Sequence, residues 1–410
     1  MRTIRMKSKL LFVPLFLVLF AFVECSPKLY NTGKEFAASG QYNDAISQFT
    51  KLIEENPEYV DAYLARADAY EKSGQKAEAA EDYKRAATFK SKDAEIYYNA
   101  GRLYYNLEQY NDALPMLEKV TELDKKHINA YRFKTESYIA LEDYNKALKE
   151  ANELVKLEEN GQNYAKRGFI QDKLKNYNQA ETDYKKSLQK NPNVLETHVA
   201  LADVLYKSKK YDESLTNCNK ALSLNDKSKE ALWIRSKIYK EKIDYPNAIN
   251  DLSKMIIFAP DDAEAFFHRG IYYQEFNQHQ SAINDFSKVI SLDSDNASAY
   301  FHRAKSYEEI TEYAKAIADF QVYAKMSDNS EEATERLKVV RERLYELNRE
   351  NIKPELTFVE PAQREGNKIN VVEDATKVIL KGKIIDQSSL QYAKVDGVDV
   401  QFVENGVDNE

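Results

Sequence analysis

Tyr245-Pro246-Asn247-Ala248-Ile249-Asn250-Asp251-Leu252 decides the fold, because its tyrosine, alanine and leucine recur along the chain in a fixed phase. The alanine is the clearest marker, returning as Ala45, Ala79, Ala113, Ala147, Ala180, Ala248, Ala282 and Ala316, with Ser214 in its place once. Of the eight intervals, seven are 34 residues long and the one from Ala147 to Ala180 is 33. Such a period is the signature of a solenoid of helix pairs, in which each unit buries its apolar faces against its neighbours.

The other core positions keep the same phase. Three residues before the marker stand Tyr42, Tyr110, Tyr144, Tyr177, Tyr211, Tyr245 and Tyr313, and four after it Phe49, Tyr83, Leu117, Tyr184, Leu252, Phe286 and Phe320. Spacings of three and four put these side chains on one stripe of a helix. A preceding helix begins its buried face at Leu29, Tyr63, Tyr97, Tyr131, Tyr164, His198, Leu232, Phe266 and Tyr300. Four residues further on, Gly33, Ala67, Gly101, Thr135, Gly168, Ala202, Ser236, Gly270 and Ala304 are small enough to let the two helices approach closely. Pro57, Pro192 and Pro260 fall where the second helix must end. The missing residue maps to Asn160 and Gly161, a junction between repeats, where a loop absorbs a deletion.

This order of large, small, aromatic, alanine, aromatic and terminal proline resembles the tetratricopeptide repeat. Nine copies run from about Leu29 to about Met326. The resemblance implies a mainly α solenoid of nine helix-turn-helix repeats over residues 26–330, whose first helices line an inner groove that holds a protein or peptide partner. The positions it places there are Tyr98, Arg102, Tyr105, Arg132, Phe133, Trp233, Lys237, Phe267, Phe301 and Lys305. Rings bury area at low entropic cost, and Arg or Lys can meet a carboxylate. Some of the same rings can equally pad contacts between repeats. Chaperone-binding relatives clamp a carboxylate with an asparagine on the first helix. Here the matching positions are Asp68, Arg102, Glu136, Phe169, Asp203, Lys237, Ile271 and Lys305, so that chemistry is not implied.

The N-terminus reads as an address. Arg2, Arg5, Lys7 and Lys9 precede an apolar run from Leu10 to Val23, too short to span a bilayer comfortably. Residues 1–25 are therefore expected to be an export signal. Cys25, in Phe22-Val23-Glu24-Cys25-Ser26, resembles the lipid-attachment site of bacterial lipoproteins, although Glu24 stands where that motif wants a small residue. The resemblance implies a membrane-anchored protein of a bacterial envelope, an outer-membrane lipoprotein facing the periplasm by default. The alternative is cleavage beside Cys25 to give a soluble periplasmic or secreted form. The only other cysteine is Cys218, at a core position, so no disulfide framework exists. The formal charge is −8 over 410 residues and the leader is basic, so the remainder is more acidic still. An acidic surface argues against nucleic acid as a partner.

After the repeats, Ala333, Leu337, Val340, Leu344 and Leu347 form an apolar stripe expected over a capping helix at 331–350. Beyond Asn351 the period changes to two. Leu356 and Phe358, then Val378, Leu380 and Ile384, then Val398, Val400 and Phe402 suggest strands, and Asp396-Gly397 a hairpin turn. This stretch, 351–410, resembles the immunoglobulin-like modules that follow tetratricopeptide arrays in exported Bacteroidetes proteins. With room for four or five strands it is expected to be an incomplete or unusually small β-sandwich-like module.

Nothing proposes a catalytic site or a cofactor: there is no phosphate-binding glycine loop, no Cys-x-x-Cys and no His-Glu-x-x-His. His268 and His302 recur in phase but without a third ligand, which reads as duplication of a core motif and not as a metal pair. The expected function is a non-catalytic interaction scaffold. The alternatives are the regulatory front of a longer caspase-like peptidase or other enzyme, and a glycan-binding envelope protein.

Overall fold

The computed structural model describes residues 16–326 and 330–351, together with the residues of six short strands beyond them. First helices α1 (Phe16–Ala38), α3 (Val60–Lys72), α5 (Ala94–Asn106), α7 (Ile128–Ala140), α9 (Gly161–Lys173), α11 (Leu195–Lys207), α13 (Lys229–Glu241), α15 (Ala263–Glu275) and α17 (Ala297–Glu309) alternate with second helices. These are α2 (Tyr42–Glu55), α4 (Lys76–Phe89), α6 (Tyr110–Leu123), α8 (Tyr144–Leu157), α10 (Tyr177–Lys190), α12 (Tyr211–Leu224), α14 (Tyr245–Phe258), α16 (His279–Leu292) and α18 (Tyr313–Met326). The chain divides into two compact units, Met1–Ile234 and Arg235–Glu410.

The marker alanines and Ser214 are completely buried, as are Phe49, Leu117, Leu252, Phe286 and Phe320 one turn later. Their small counterparts on the first helix are required by geometry. A Cβ at Gly270 would stand 2.8 Å from the Phe286 ring, so only glycine admits that ring. Each helix pair turns through one residue in the left-handed region: Gly40, Gly74, Glu108, Glu142, Lys175, Lys209, Ile243, Asn277 and Thr311. Side-chain caps begin several first helices, with Asp93, Asn160, Asp262 and Asn296 each accepting a backbone N–H two or three residues on. The 33-residue repeat loses its residue from the loop before α9 and not from a helix. Asn163 Nδ2 donates to the Glu158 carbonyl at 2.8 Å, and Arg132 donates to the Glu158 carboxylate at 3.0 Å, closing the shortened connection.

The apolar leader expected at 1–25 falls partly outside the described residues. Residues 16–25, Cys25 included, form the first turns of α1. At the other end, α19 (Ser330–Asn351) packs on α18: Val340 is fully buried with Ala304, Ala316 and Phe320, and Arg343 donates to Glu308 at 2.6 Å.

Strands β1 (Glu355–Glu360) and β4 (Lys381–Ile385) pair antiparallel, as do β2 (Arg364–Glu365) with β3 (Lys368–Ile369) and β5 (Ala393–Val395) with β6 (Val398–Val400). Val395 opposite Val398 leaves two residues, Asp396 and Gly397, for the connection. The described residues form three separate two-stranded ladders, so the expected sandwich is not among what they show. Val378, Leu380 and Phe402, named above as strand residues, lie outside the described residues.

Candidate partner-binding face

The charges nearest the core belong to the scaffold. In six repeats a cation on the first helix reaches an acid sixteen residues later on the second: Arg66 to Asp82, Lys134 to Glu150, Arg167 to Asp183, Arg235 to Asp251, Arg269 to Asp285 and Arg303 to Asp319. The arginine pairs are bidentate, with both contacts at 2.7 Å in Arg66 and Arg167. The third guanidinium nitrogen donates to the second helix of the preceding repeat, from Arg66 to Thr50, Arg167 to Asn152, Arg269 to Ser253 and Arg303 to Ser287. Rings three residues before and four after cover the guanidinium, as Tyr300 and Tyr307 do for Arg303. The Asp183 and Asp319 carboxylates hold Arg167 and Arg303 above the usual arginine range. Arg66, Arg167, Arg269 and Arg303 therefore each fasten their own helix pair to the preceding repeat. The signal was present in the sequence, since Arg235, Arg269 and Arg303 recur at the marker period, but the apolar phases drew the reading.

On the first helices of the first unit, the expected groove residues meet one another. Phe133 of α7 lies between Tyr105 and Tyr98 of α5, with ring centroids 4.7 and 6.1 Å away, and Tyr98 also packs on His127 at 4.5 Å. All three rings of this chain are half-buried. Burial pushes the Tyr98 and Tyr105 hydroxyls up, and Tyr105 goes further because it donates to Glu136 at 2.7 Å. The cations are already engaged. Arg102 contacts both oxygens of Glu71 at 2.9 Å, Arg132 holds Asn129 and Glu158, Lys166 pairs with Glu136, and Lys207 bridges Asp172 and Asp203. Burial opposes the charge of Lys207, yet those two carboxylates hold it up. Successive first helices are thus laced together by charge.

Among the described rings on the first helices of this unit, one is exposed. Phe169 of α9 is 37 % exposed, at the position that bears a charge in Asp68, Arg102, Glu136 and Asp203, with the Lys173 ammonium 5.3 Å from its ring centroid. In the sequence, Phe169 marks only a departure from the carboxylate clamp. Its exposure depends on the orientation of α9, which spacing alone does not give.

In the second unit, Phe267 joins its own helix pair to the next repeat, and Phe301 packs within its own pair. Phe267 packs on Phe286 and His302 at 5.7 and 5.5 Å, and Phe301 on Phe320 and Tyr323 at 5.8 and 4.9 Å with Lys305 over its ring. Trp233 and Lys237 are half-buried on α13, on either side of the boundary between the units. His302 stacks on Phe286 and bonds Gln274 at 2.9 Å, and burial pushes it down to about 4. Burial also lowers His268. Among the described residues, no group of three or more His, Cys, Asp or Glu is placed to hold a metal ion.

Comparison with known proteins agrees with this geometry. Tetratricopeptide repeat profiles match residues 30–94 and 267–331, and singly 94–127, 161–194 and 195–228. The chain belongs to the tetratricopeptide-repeat family. A repeat-containing protein of Methanocaldococcus jannaschii is 27% identical over 187 residues, covering 41% of this chain and 33% of that one. Human DnaJ homolog subfamily C member 3 is 27% identical over 29% of this chain and 23% of its own. The chain spans a third or less of the length of these curated relatives. Among solved structures, the C-terminal part of a tetratricopeptide repeat-containing protein from Cytophaga hutchinsonii has a TM-score of 0.52 at 13% identity, over 58% of this chain and 98% of that one. That likeness is one of fold. Tetratricopeptide-repeat proteins commonly act as scaffolds that bind protein or peptide partners, and no catalytic family is indicated.

Proposed function

We propose that this tetratricopeptide-repeat protein is a non-catalytic scaffold of a bacterial envelope, and that the face formed by α5, α7 and α9 holds its protein partner. The observation that carries the reading is the contrast on that face. Arg102, Arg132, Lys166 and Lys207 are spent on acids of the array, whereas Phe169 is exposed and Tyr98, Phe133 and Tyr105 are half-covered. A partner gains little by competing for paired charges and more by covering rings. The occupant is thus an extended peptide or helix presenting apolar side chains.

The anchor at Cys25 is supported by the repeat frame. First helices start at Val60 and Ala94, and one period earlier lies Ser26, directly after Cys25. Residues 16–25 are surplus to the repeat, and Pro27 then falls in the first helical turn, where its missing N–H costs nothing. Removing the leader before Cys25 leaves the first helix pair whole. We read α19 as the cap of the array, and the strands after it as part of a small immunoglobulin-like module that offers a second contact.

Two measurements test this. A photo-crosslinking residue at position 169 should capture a discrete partner from envelope extracts. Phe169→Ala and Tyr98→Ala should each weaken that partner's binding about tenfold or more, while Lys156→Ala on the exposed side of α8 leaves it unchanged. Equal binding by all four proteins would sink the assignment of the face. Intact mass of the envelope-purified protein should show a lipid increment on a chain beginning at Cys25, and an unmodified chain beginning at Ser26 would remove the anchor.

A further inference from the structure

Where Asp93, Asn160, Asp262 and Asn296 cap their helices with an oxygen, the equivalent residue before α7 is His127. Its Nδ1 accepts the Ala130 N–H at 3.1 Å, a role open to imidazole only while Nδ1 is unprotonated and the ring proton sits on Nε2. The same ring lies 4.5 Å from Tyr98, which also packs on Phe133 of α7 with ring centroids 6.1 Å apart. Tyr98 is thereby held at the start of α7 by the capping ring and further along it by Phe133.

Protonation reverses the cap. An N–H then faces the Ala130 N–H, and a positive charge arrives at a helix start, where the backbone dipole disfavours it. An aspartate or asparagine cap has no such transition near neutral pH. The ring also lines an open depression, with Lys90 and Lys92 from the connection between α4 and α5, Asp93 and Glu95 at the start of α5, and Asp124 at the end of α6. Lys90 is tied to Asp61 at 2.9 Å, so three acids face the ring against Lys92 and that shared lysine, with Arg132 one turn further along α7.

We propose that His127 is a proton-released cap: a proton on its Nδ1 frees the ring from α7, loosens Tyr98, and weakens the grip of the α5–α7 face on a partner. The cap itself is independent of any partner, and only its consequence for binding rests on the function proposed above.

The full chain carries five histidines, which makes the imidazole signals assignable by substitution. In 15N-labelled protein at pH 8, His127 should show an unprotonated Nδ1. The Ala130 amide and Tyr98 ring signals should then move together with His127 as pH falls to 5, and stay fixed over that range in His127→Asn. A protonated Nδ1 at pH 8, or Ala130 and Tyr98 signals that ignore the titration of His127, overturns the proposal. Partner affinity should fall about threefold or more from pH 7.5 to 5.5 in the wild type and hold in His127→Asn. An equal fall in both overturns the regulatory step. Absence of binding at either pH counts against the face itself, and the resonance data then decide the cap alone.

Discussion

Ile243 is the residue at which the repeat most visibly departs from its own logic. Its φ of 60° lies in the left-handed region, where a β-branched side chain is strained, and its side chain is 73% exposed. Gly40 and Gly74 hold the same place without strain. Replacing Ile243 by glycine should therefore stabilise the second unit by about 0.5–1 kcal/mol, the relief of strain exceeding the added freedom of the unfolded chain. Urea unfolding would check this, and a fall in midpoint would mean that the isoleucine makes a contact its exposure hides. The marker alanines and close-approach glycines were legible at this scale, because a fixed period repeats each steric demand. The left-handed turn was not, since seven of its nine residues are not glycine and range over Glu, Lys, Ile, Asn and Thr.

At the scale of the element, the arginine ties decide how helix pairs are fastened. Asp319 has a side chain only 8% exposed, so Arg303→Leu strands a buried carboxylate and should cost about 3–5 kcal/mol. Arg303→Leu combined with Asp319→Leu should recover most of that loss, because apolar side chains do not require the ion pair. Thermal melts of the two single variants and the double complete the cycle, and additive losses would contradict this account. His302 adds a pH dependence of definite sign. Burial pushes it down to about 4, so between roughly pH 6.5 and pH 4 the unfolded chain takes up a proton that the folded chain refuses. The contribution is complete above pH 6.5 and lost as pH falls, by at most about 3 kcal/mol, less its share of solvent screening. His302→Gln should flatten that part of the stability profile. An unchanged profile would place the neutral imidazole's stabilisation elsewhere.

In a solenoid, stability is a sum of repeats and their nearest-neighbour interfaces, so within one unit a local defect should spread no further than the adjoining repeats. Lys134 and Glu150 form the one lysine-glutamate version of the tie among the described residues, with side chains 7% and 8% exposed. Lys134→Ala should speed hydrogen exchange in α7 and α8, and to a lesser degree in α6 and α9, while leaving α3 and α4 at wild-type rates. Faster exchange throughout the first unit would instead indicate one cooperative fold. The same architecture explains the division of labour on the candidate face. Successive first helices must neutralise each other's charges to stack, which leaves aromatic surface as the currency for a partner.

The sequence by itself determined the solenoid, its period, the buried stripes and the loop that lost a residue, because these follow from spacing along a helix of fixed pitch. Which of Tyr98, Arg102, Phe169 and Phe267 remains available to a partner was decided only by the tertiary structure. Neighbouring helices bring Glu71 to Arg102 and His302 to Phe267, and leave Phe169 exposed. Periodicity states which way a side chain points. What it meets there depends on residues a whole repeat away, through packing that no single helix encodes.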